Sequence, residues 1–548
     1  MNRAANVLAL QSAQYDLLVI GGGITGAGIA LDAAARGLKT ALVEKDDFAS
    51  GTSSRSTKLI HGGLRYLKQL EFALVKEVGS ERAIVHRLAP HLVVPEKMLL
   101  PLYEKRGLGY WLTSIGLKIY DWLAGVKPED QRKMLTRLQT LNHEPLLKKD
   151  DVKGGAIYAE YRTDDARLTI EIMKLAARKG ACVANYIEVT GFLYSRDAIS
   201  GALVVDGITG NRFSIDAKIV VNATGPWVDE LRILNQSRQG KQLHLTKGVH
   251  IVVPFHRLPV HQAIYFDVPD GRMIFAIPRG RITYIGTTDT DYEGNKDRVL
   301  ALRNDVDYIL NAVNETFPSV LLTLADVESS WAGLRPLIHE EGKSASELSR
   351  KDEIFESPTG LISIAGGKLT GYRKMAERVV DKVIEQQFES RDLEPCNTDQ
   401  MILPGGDFKS YDEVKKLEAE LAARLGALNL RGNEATNLVH LYGTQALIIA
   451  AHFEQHQTGE PELDLLLAQA WFGIHHEMAI TPLDLINRRS GFLYFNRPKM
   501  IRHAVAVVDY FGSMNKWDKE TIDRYQEQVQ HALTEVTRFD PDFSTIKK

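Results

Sequence analysis

The clearest chemical signal in the sequence is a glycine-rich turn followed at a distance by an acid. Gly21, Gly23 and Gly26 form the spacing G-x-G-x-x-G directly after a strand-like run at residues 16–20. The first glycine permits a tight turn, the second lets backbone approach a pyrophosphate and the third lets a helix pack closely on a strand. Glu44 ends the next apolar run, roughly 20 residues later, where a carboxylate would accept hydrogen bonds from a ribose. The pattern predicts a dinucleotide site, and an acid rather than an arginine at this point argues against NADP.

Two further segments carry groups that could bind an anion or approach a flat ring. Residues 61–66 read His-Gly-Gly-Leu-Arg-Tyr, so two glycines that allow close backbone approach precede a guanidinium and a phenol. A helix-capping turn with a solvated Arg65 explains the same residues equally well. Residues 366–370 read Gly-Gly-Lys-Leu-Thr between an apolar run and a helical pattern, which predicts a second helix N-terminus that favours negative charge.

Two side chains within a strand-rich region are candidates for substrate chemistry. Residues 243–342 contain His250, in Lys-Gly-Val-His, and Arg335, in Gly-Leu-Arg-Pro. A histidine at the start of a strand is usually structural and an arginine before a proline is a weak signal, so neither residue decides a function alone.

Upstream, an apolar run ends in Ala-Thr-Gly-Pro at residues 223–226. This repeats the strand-then-glycine pattern of a doubly wound sheet, whose ligand lies beyond the carboxyl ends of the strands.

The elements that must position these residues follow from the hydrophobic pattern. Residues 27–36 have helical composition and residues 39–43 form a second strand, which completes a strand, turn, helix and strand unit. A sheet at residues 243–342, inserted between two parts of this nucleotide-binding domain, would form a roof over the cofactor with the substrate beneath it. Residues 396–408 have linker composition, and residues 409–525 read as helices of a cap. We therefore expect an α/β fold, α+β in parts, with a Rossmann-like domain, an inserted mainly antiparallel β substrate domain and a C-terminal α-helical cap domain.

The expected domain limits follow from these elements. Residues 1–14 are mixed in composition and are interpreted as a flexible leader, because polar residues interrupt any apolar run of a signal peptide. The other expected parts are a nucleotide-binding domain of residues 15–90, 150–242 and 343–395, a substrate-binding domain of residues 91–149 and 243–342, and a C-terminal helical domain of residues 396–548.

Length and charge exclude several classes of function. A chain of 548 residues exceeds what one core usually organises, so two or three domains are expected. The net charge of −3 gives no support for a nucleic-acid binder, which needs a basic excess.

The two cysteines, Cys182 and Cys396, cannot form a disulfide framework, which fits a reducing, cytoplasmic compartment. His475-His476-Glu477 is not a zinc motif, because Ile480 stands where the second histidine is needed, so no metal is predicted.

A tryptophan-rich basic segment raises the question of membrane contact. No apolar run reaches the roughly 18 residues that a membrane span requires, so any contact would be peripheral. In residues 105–133, Trp111 and Trp122 fall on one helical face amid several lysines and arginines. A basic amphipathic helix of this kind suits a membrane surface, whereas an aromatic stripe is more often core. Both interpretations stay open, and a homo-oligomer is compatible with the sequence.

An ordered set of motifs identifies a family. The motifs are GGGITGAG at 21–28, TSSRSTKLIHGGLRYL at 52–67, NATGPW at 222–227, KGVHIVVP at 247–254, IGTTD at 285–289, GLRPL at 333–337 and GGKLTGYR at 366–373. This set resembles the FAD-dependent glycerol-3-phosphate dehydrogenases from about residue 15 to the end of the chain. The D-amino-acid and glycine oxidases share only the first glycine motif and the Ala-Thr-Gly-Pro region.

The resemblance implies a cofactor, a reaction and a set of site residues. It implies oxidation of sn-glycerol 3-phosphate to dihydroxyacetone phosphate on FAD, with electrons passed to a membrane quinone. The implied substrate-binding residues are Arg65, Tyr66, His250, Arg335 and Lys368, of which His250, Arg335 and Lys368 are also the implied catalytic residues. The expected cofactor-binding residues are Gly21, Gly23, Ile24, Thr25, Gly26, Glu44, Lys45, Thr52, Ser53, Ser56, Lys58, His61, Gly62, Gly63, Leu64, Ala223, Thr224, Gly225, Gly367, Lys368, Leu369 and Thr370.

The sequence leaves the base and the oxidant open. His250 is the hypothesis for the base that removes the C2 hydroxyl proton, because an imidazole titrates near operating pH, and His61 is its competitor. Family members that are oxidases use O2 and typically carry an inserted segment in mid-chain, and the lack of an obvious insertion favours the dehydrogenase. An amino-acid or amine oxidase of the same fold is the nearest competing enzyme class. The non-catalytic alternative is a protein that binds FAD or NAD without catalysing a reaction.

Overall fold

The computed structural model describes residues 1–61, 72–104, 118, 131–338 and 352–539. The β-strands of this part of the chain are β1 Gln14–Ile20, β2 Thr40–Val43, β3 Leu59–Ile60, β4 Val94–Tyr103, β5 Lys133–Thr136, β6 Val152–Arg162, β7 Cys182–Ala184, β8 Ile187–Ser195, β9 Ala198–Asp206, β10 Arg212–Asn222, β11 Leu243–Pro254, β12 Ala263–Asp267, β13 Met273–Arg279, β14 Ile282–Gly286, β15 Thr290–Asp291, β16 Ser329–Ile338, β17 Glu353–Glu356 and β18 Ile362–Ala365. Its α-helices are α1 Arg3–Ser12, α2 Ile24–Ala35, α3 Phe72–Leu88, α4 Arg137–His143, α5 Asp165–Arg178, α6 Val228–Leu234, α7 Arg303–Thr316, α8 Tyr372–Gln387, α9 Tyr411–Ala427, α10 Glu434–Tyr442, α11 Ala446–Gln455, α12 Pro461–His476, α13 Phe492–Phe495, α14 Arg497–Asn515 and α15 Lys519–Glu535.

The first sheet has a parallel centre covered on both faces. Its strand order is β17-β18-β10-β1-β2-β7, in which β18, β10, β1, β2 and β7 are parallel and β17 is antiparallel. Leu17 and Val19 pack on one face with α2, while Leu18 and Ile20 pack on the other. Helix α2 packs against α5 and α8. Because the strands are parallel, the residues that follow β1, β2, β10 and β18 meet at one edge of the sheet.

The second sheet is mainly antiparallel and forms the predicted roof. Its order is β15-β11-β14-β13-β12-β4-β6-β3, with β16 also paired to β11 and β5 to β6. Along β11, Val249 and Ile251 point into a core shared with α7, whereas Val252 packs with residues of the C-terminal helices. His250 therefore belongs to the face opposite α7, because side chains alternate along a strand.

Helices α9–α15 form the C-terminal part, as predicted. Helices α9–α14 lie within residues 409–525, which the sequence predicts to be helical. The predicted fold class is thus confirmed: an α/β chain with a Rossmann-like part, a mainly antiparallel sheet and a C-terminal helical domain.

The prediction of a flexible leader at residues 1–14 is wrong. Residues Arg3–Ser12 form α1, whose N-cap Asn2 accepts a hydrogen bond from Ala5 N at 3.1 Å. Arg3 pairs with Asp206 at 2.6 Å and Leu10 is fully buried. Composition missed this helix because long-range contacts, rather than an apolar stripe, hold it to the sheet. Within the residues that the structure describes, no helix is both long and apolar enough to cross a membrane.

Candidate functional site

A cavity of about 630 Å³ lies where the carboxyl ends of β1, β2 and β10 meet the second sheet. Its lining includes Glu44 and Ala223 from the first sheet and His250 and Arg335 from the second. This volume is in the range of natural ligand pockets, roughly 300–1,000 Å³. The cavity therefore joins the glycine turn to the candidate substrate residues.

The glycine turn can be built only from glycines at two positions. Gly21 has a φ of +113°, and a Cβ on it would lie 2.6 Å from the carbonyl oxygen of Ala223. A Cβ on Gly26 would lie 1.9 Å from the carbonyl oxygen of Gly21. Gly23 is the N-cap of α2, so the N–H groups of the first helical turn face the cavity end of the sheet, where a pyrophosphate would be stabilised. Ser53 Oγ accepts a hydrogen bond from Ile24 N at 2.9 Å and holds the next loop against this turn.

Glu44 is held at the end of β2 by backbone donors. Its Oε2 accepts from Gly22 N at 2.6 Å and its Oε1 accepts from Asp46 N at 3.0 Å. Burial raises the pKa of Glu44 to about 7, and the two backbone hydrogen bonds only partly oppose this effect. Glu44 is thus a half-buried carboxyl whose charge depends on pH near neutrality.

The loop after β2 continues the lining. Thr52 donates its hydroxyl to the carbonyl of Leu334 at 2.7 Å, which joins this loop to β16. Lys45 pairs with Asp297, and its Nζ lies 4.3 Å from the centre of the Trp227 ring. Lys45 and Trp227 therefore form one cationic and aromatic wall of the cavity.

His250 is fully enclosed beside the cavity. Its Nε2 lies 3.0 Å from Thr57 Oγ1, and its ring stacks on Trp331 with 4.8 Å between centroids and 9° between planes. Burial, followed by the charges of Arg335 and Lys58, holds the pKa of His250 well below its ordinary value. The imidazole is therefore neutral near pH 7 and can accept a proton.

The guanidinium of Arg335 lies over a glycine of the neighbouring strand. A Cβ on Gly248 would be 2.2 Å from Arg335 Nη2, so only glycine leaves room for this side chain. Arg335 donates to Thr287 Oγ1 at 2.9 Å and to Asp289 Oδ1 at 3.1 Å. Lys368 lines the same cavity directly after the glycines that follow β18. These cations approach the site from different sheets.

The structure brings most of the predicted site residues together. The predicted residues that line the cavity are Gly21, Gly23, Ile24, Thr25, Glu44, Lys45, Thr52, Ser53, Ser56, His61, Ala223, Thr224, Gly225, His250, Arg335, Gly367, Lys368, Leu369 and Thr370. Gly26 supports the turn from behind. Lys58 does not line the cavity, because its buried ammonium pairs with Asp165. The predicted residues Gly62, Gly63, Leu64, Arg65 and Tyr66 lie outside the described residues.

Several residues of the lining were not predicted from the sequence. Thr57 and Trp227 line the cavity, and so does Arg55, whose Cβ lies near Gly333. In the described part of the chain, the Arg55 side chain makes no hydrogen bond or ion pair. The sequence carried a weak signal for these residues, because Trp227 ends the NATGPW motif and Arg55 and Thr57 lie in the motif at residues 52–67. Neither loop has a periodic pattern that would indicate which side chains reach the cavity.

The residues present fit a dinucleotide. The cradle at Gly21 and Gly26 would be filled by any Cβ, the start of α2 offers backbone donors, and Glu44 provides a ribose acceptor. The described ranges contain no group of three or more His, Cys, Asp or Glu side chains suited to a metal ion.

Two family profiles and a set of relatives match this chain. The profile of the FAD dependent oxidoreductase family matches residues 16–373, and that of the C-terminal domain of alpha-glycerophosphate oxidase matches residues 396–522. An aerobic glycerol-3-phosphate dehydrogenase of Staphylococcus aureus strain USA300 is 48% identical over 535 residues, which are 96% of this chain and 95% of the relative.

Two solved structures are also similar to this chain. A glycerol-3-phosphate dehydrogenase from Bacillus halodurans, complexed with FAD, superimposes with a TM-score of 0.84 at 44% identity, over 99% of this chain and 98% of that one. An L-alpha-glycerophosphate oxidase from Mycoplasma pneumoniae with FAD bound has a TM-score of 0.54 at 19% identity, over 68% of this chain and 95% of that one, which shows the fold alone.

Proposed function

We propose that this chain, which belongs to the family of FAD-dependent glycerol-3-phosphate dehydrogenases, oxidises sn-glycerol 3-phosphate to dihydroxyacetone phosphate and passes the electrons to a quinone. The observation that carries the proposal is a cavity with a dinucleotide cradle along one side and His250, Arg335 and Lys368 along the other. Such a cavity would bring a phosphorylated substrate against the cofactor.

We assign cofactor binding to the first sheet and substrate binding to the second. The proposed limits are residues 15–90, 150–242 and 343–395 for the FAD-binding domain, 91–149 and 243–342 for the substrate-binding domain, and 396–548 for the C-terminal domain. The turn of Gly21 and Gly23 would hold the pyrophosphate and Glu44 the ribose. When bound, FAD supplies a hydride acceptor at flavin N5 for the hydrogen on C2 of the substrate.

Arginine and lysine side chains would hold the substrate phosphate. Arg335 and Lys368 line the cavity, and Arg55 adds a guanidinium that makes no side-chain hydrogen bond within the described ranges. Arg65 and Tyr66 are further proposed ligands. Charge-assisted hydrogen bonds to a phosphate contribute roughly 1.5–3 kcal/mol each. Several such donors explain a preference for a phosphorylated alcohol over an amino acid.

His250 is the proposed base for the C2 hydroxyl proton. Its depressed pKa, which burial chiefly causes, keeps the imidazole neutral at physiological pH. Its stacking on Trp331 and its contact with Thr57 hold the ring in one orientation, as a positioned base requires. Arg335 and Lys368 would stabilise the negative charge that develops on the substrate oxygen.

A membrane quinone is the proposed acceptor, with the protein in the cytoplasm and peripheral on the inner face of the membrane. The support is the similarity to relatives named aerobic glycerol-3-phosphate dehydrogenases. An oxidase that uses O2 is the alternative within the same chemistry. A flavin amino-acid oxidase is less well supported, because the cavity offers several cations where one carboxylate clamp would suffice.

Anaerobic reduction of the purified yellow protein tests the proposal. We expect glycerol 3-phosphate to bleach the flavin absorbance, and glycine and D-alanine to leave it unchanged. Turnover should then be faster with a soluble quinone analogue than with O2. Bleaching by an amino acid alone would reject the substrate, and faster turnover with O2 would reject the quinone.

A further inference from the structure

A buried ionic contact joins the loop after β2 to the C-terminal domain. Asp47 lies three residues after Glu44, and its side chain is fully buried. Arg489 donates from Nη2 to Asp47 Oδ1 at 2.9 Å and from Nη1 to Oδ2, and Arg488 donates from Nε to Oδ2. Both arginines belong to the π-helix Asp484–Arg489. Burial alone would raise the pKa of Asp47, but the charges of Arg489 and Arg488 outweigh it and keep this pKa below the usual range, so Asp47 is an anion.

The two arginines are themselves anchored in the C-terminal domain. Arg489 Nη2 also donates to the carbonyl of Glu477 at 2.8 Å, and Arg488 Nη2 donates to Asp484 Oδ1 at 2.8 Å. Asp484 in turn accepts from Thr481 N at 2.9 Å. The guanidinium groups therefore cannot follow Asp47 if the loop moves.

The same loop shapes the nucleotide end of the cavity. Asp46 N donates to Glu44 Oε1, and Ile187 N donates to the carbonyl of Glu44 at 2.7 Å. Asn185 Nδ2 donates to Asp47 Oδ1 at 3.0 Å, which ties the turn between β7 and β8 to the same carboxylate. Since Glu44 and Ile187 line the cavity, Asp47 supports two parts of its wall at once.

We propose that Arg488 and Arg489 are positioning residues, through which the C-terminal domain holds Asp47 and thereby sets the affinity for FAD. Separating a buried carboxylate from its guanidinium partners leaves uncompensated charges, so the loop stays in the conformation that presents Glu44. A wall that is ordered before binding loses less entropy when the cofactor enters. This inference rests on the proposed role of Glu44 as the ribose ligand.

Release of FAD from the full-length holoprotein tests the inference. The measurement is the rise of flavin fluorescence after dilution into buffer without substrate. We expect Arg488→Met to accelerate release by tenfold or more. The matched control is Lys174→Met. Lys174 also reaches the C-terminal domain, with its Nζ 3.0 Å from Glu477 Oε1. Within the described residues, however, no hydrogen bond joins Lys174 to Glu44, Asp46 or Asp47. Lys174→Met should lower the thermal midpoint but change FAD release by less than twofold.

The outcomes separate positioning from general stability. Unchanged release in Arg488→Met, or equal acceleration in both variants, would overturn the inference. If Arg488→Met gives no folded holoprotein, Arg488→Lys against Lys174→Arg decides, because lysine keeps the charge but lacks the planar guanidinium fork that donates to Asp47 from Nε and to Asp484 from Nη2. We then expect severalfold faster release in Arg488→Lys only, and equal rates would overturn the inference. Because release is measured without substrate, failure of the wild type to oxidise glycerol 3-phosphate would reject the proposed substrate separately.

Discussion

His250 Nε2 lies 3.0 Å from the hydroxyl oxygen of Thr57, although the two residues are 193 positions apart. Thr57 belongs to the loop that precedes β3, and His250 lies on β11 of the roof. The contact therefore joins the loop between β2 and β3 to β11. Because Trp331 also stacks on the imidazole, the orientation of this ring is determined by three separate segments of the chain.

Replacing His250 with asparagine should slow flavin reduction by roughly 100-fold or more, since general bases contribute about 10² to 10⁴. Stopped-flow absorbance with glycerol 3-phosphate measures this rate. His244→Asn is the control, because His244 lies on the same strand and pairs with Asp291 outside the cavity lining. An unchanged limiting rate in His250→Asn would exclude His250 as the base.

The pH dependence of kcat/KM should also show whether His250 is the base. Burial lowers the pKa of His250 below 6.5, so the imidazole stays neutral until the pH falls beneath that value. We expect an acid limb of kcat/KM below pH 6.5 that disappears in the asparagine variant. A limb above pH 7 that His250→Asn removes would contradict this assignment.

FAD affinity should weaken as the pH falls through 7. Burial raises the pKa of Glu44 to about 7, so the carboxylate form, which is proposed to accept from the ribose, predominates only above this pH. Below it, binding must first remove a proton, which costs up to about tenfold in affinity per pH unit. Flavin fluorescence titrations between pH 5.5 and 8 measure the effect. Glu44→Gln should bind weakly and without this pH dependence, and a wild-type affinity that is flat across the range would contradict the role of Glu44.

Arg335→Leu should raise KM for glycerol 3-phosphate by about 10- to 100-fold, as expected for one lost charge-assisted contact. Steady-state kinetics with a quinone analogue gives the value. The control is Arg257→Leu, because Arg257 also pairs with an aspartate, Asp326, but lies outside the cavity lining. Equal KM values in the two variants would place the phosphate elsewhere.

Gly286→Ala should impair the chemistry while FAD stays bound. A Cβ at this position would lie 2.2 Å from His250 Cδ2, so the imidazole must move. We expect a slower flavin reduction rate with the normal flavin content of the purified protein. Gly426→Ala is the control, because a Cβ there has no neighbour within 4 Å. A normal reduction rate in Gly286→Ala would mean that the position of His250 is not critical.

Membrane docking through Trp111 and Trp122, which lie outside the described residues, stays a prediction. Changing both to alanine should reduce co-sedimentation with anionic liposomes severalfold, because tryptophan favours the membrane interface. Ile501→Ala with Val505→Ala is the control, since these exposed apolar residues lie on α14. Unaltered sedimentation of the tryptophan variant would indicate that both rings belong to the protein interior.

Local patterns predicted the parts of the site that contiguous residues build. The glycine turn, the helix after it and the acid at the end of β2 could be predicted because each depends on steric limits within a few residues of the chain. The same reasoning failed for α1, whose anchoring residue Arg3 meets Asp206 only in the folded chain. The resemblance to the family placed Lys58 among the cofactor-binding residues, whereas the fold buries that ammonium against Asp165.

The sequence by itself determined the dinucleotide cradle, the fold class and, through its motifs, the family. Only the tertiary structure decided which cations share a cavity, that Arg55 is one of them, and that Asp47 is held by Arg488 and Arg489 from the far end of the chain. It also decided the pH range in which Glu44 and His250 change charge, because burial raises the pKa of Glu44 and lowers that of His250. Proximity and burial arise from contacts between distant segments, and no local pattern of residue types encodes them.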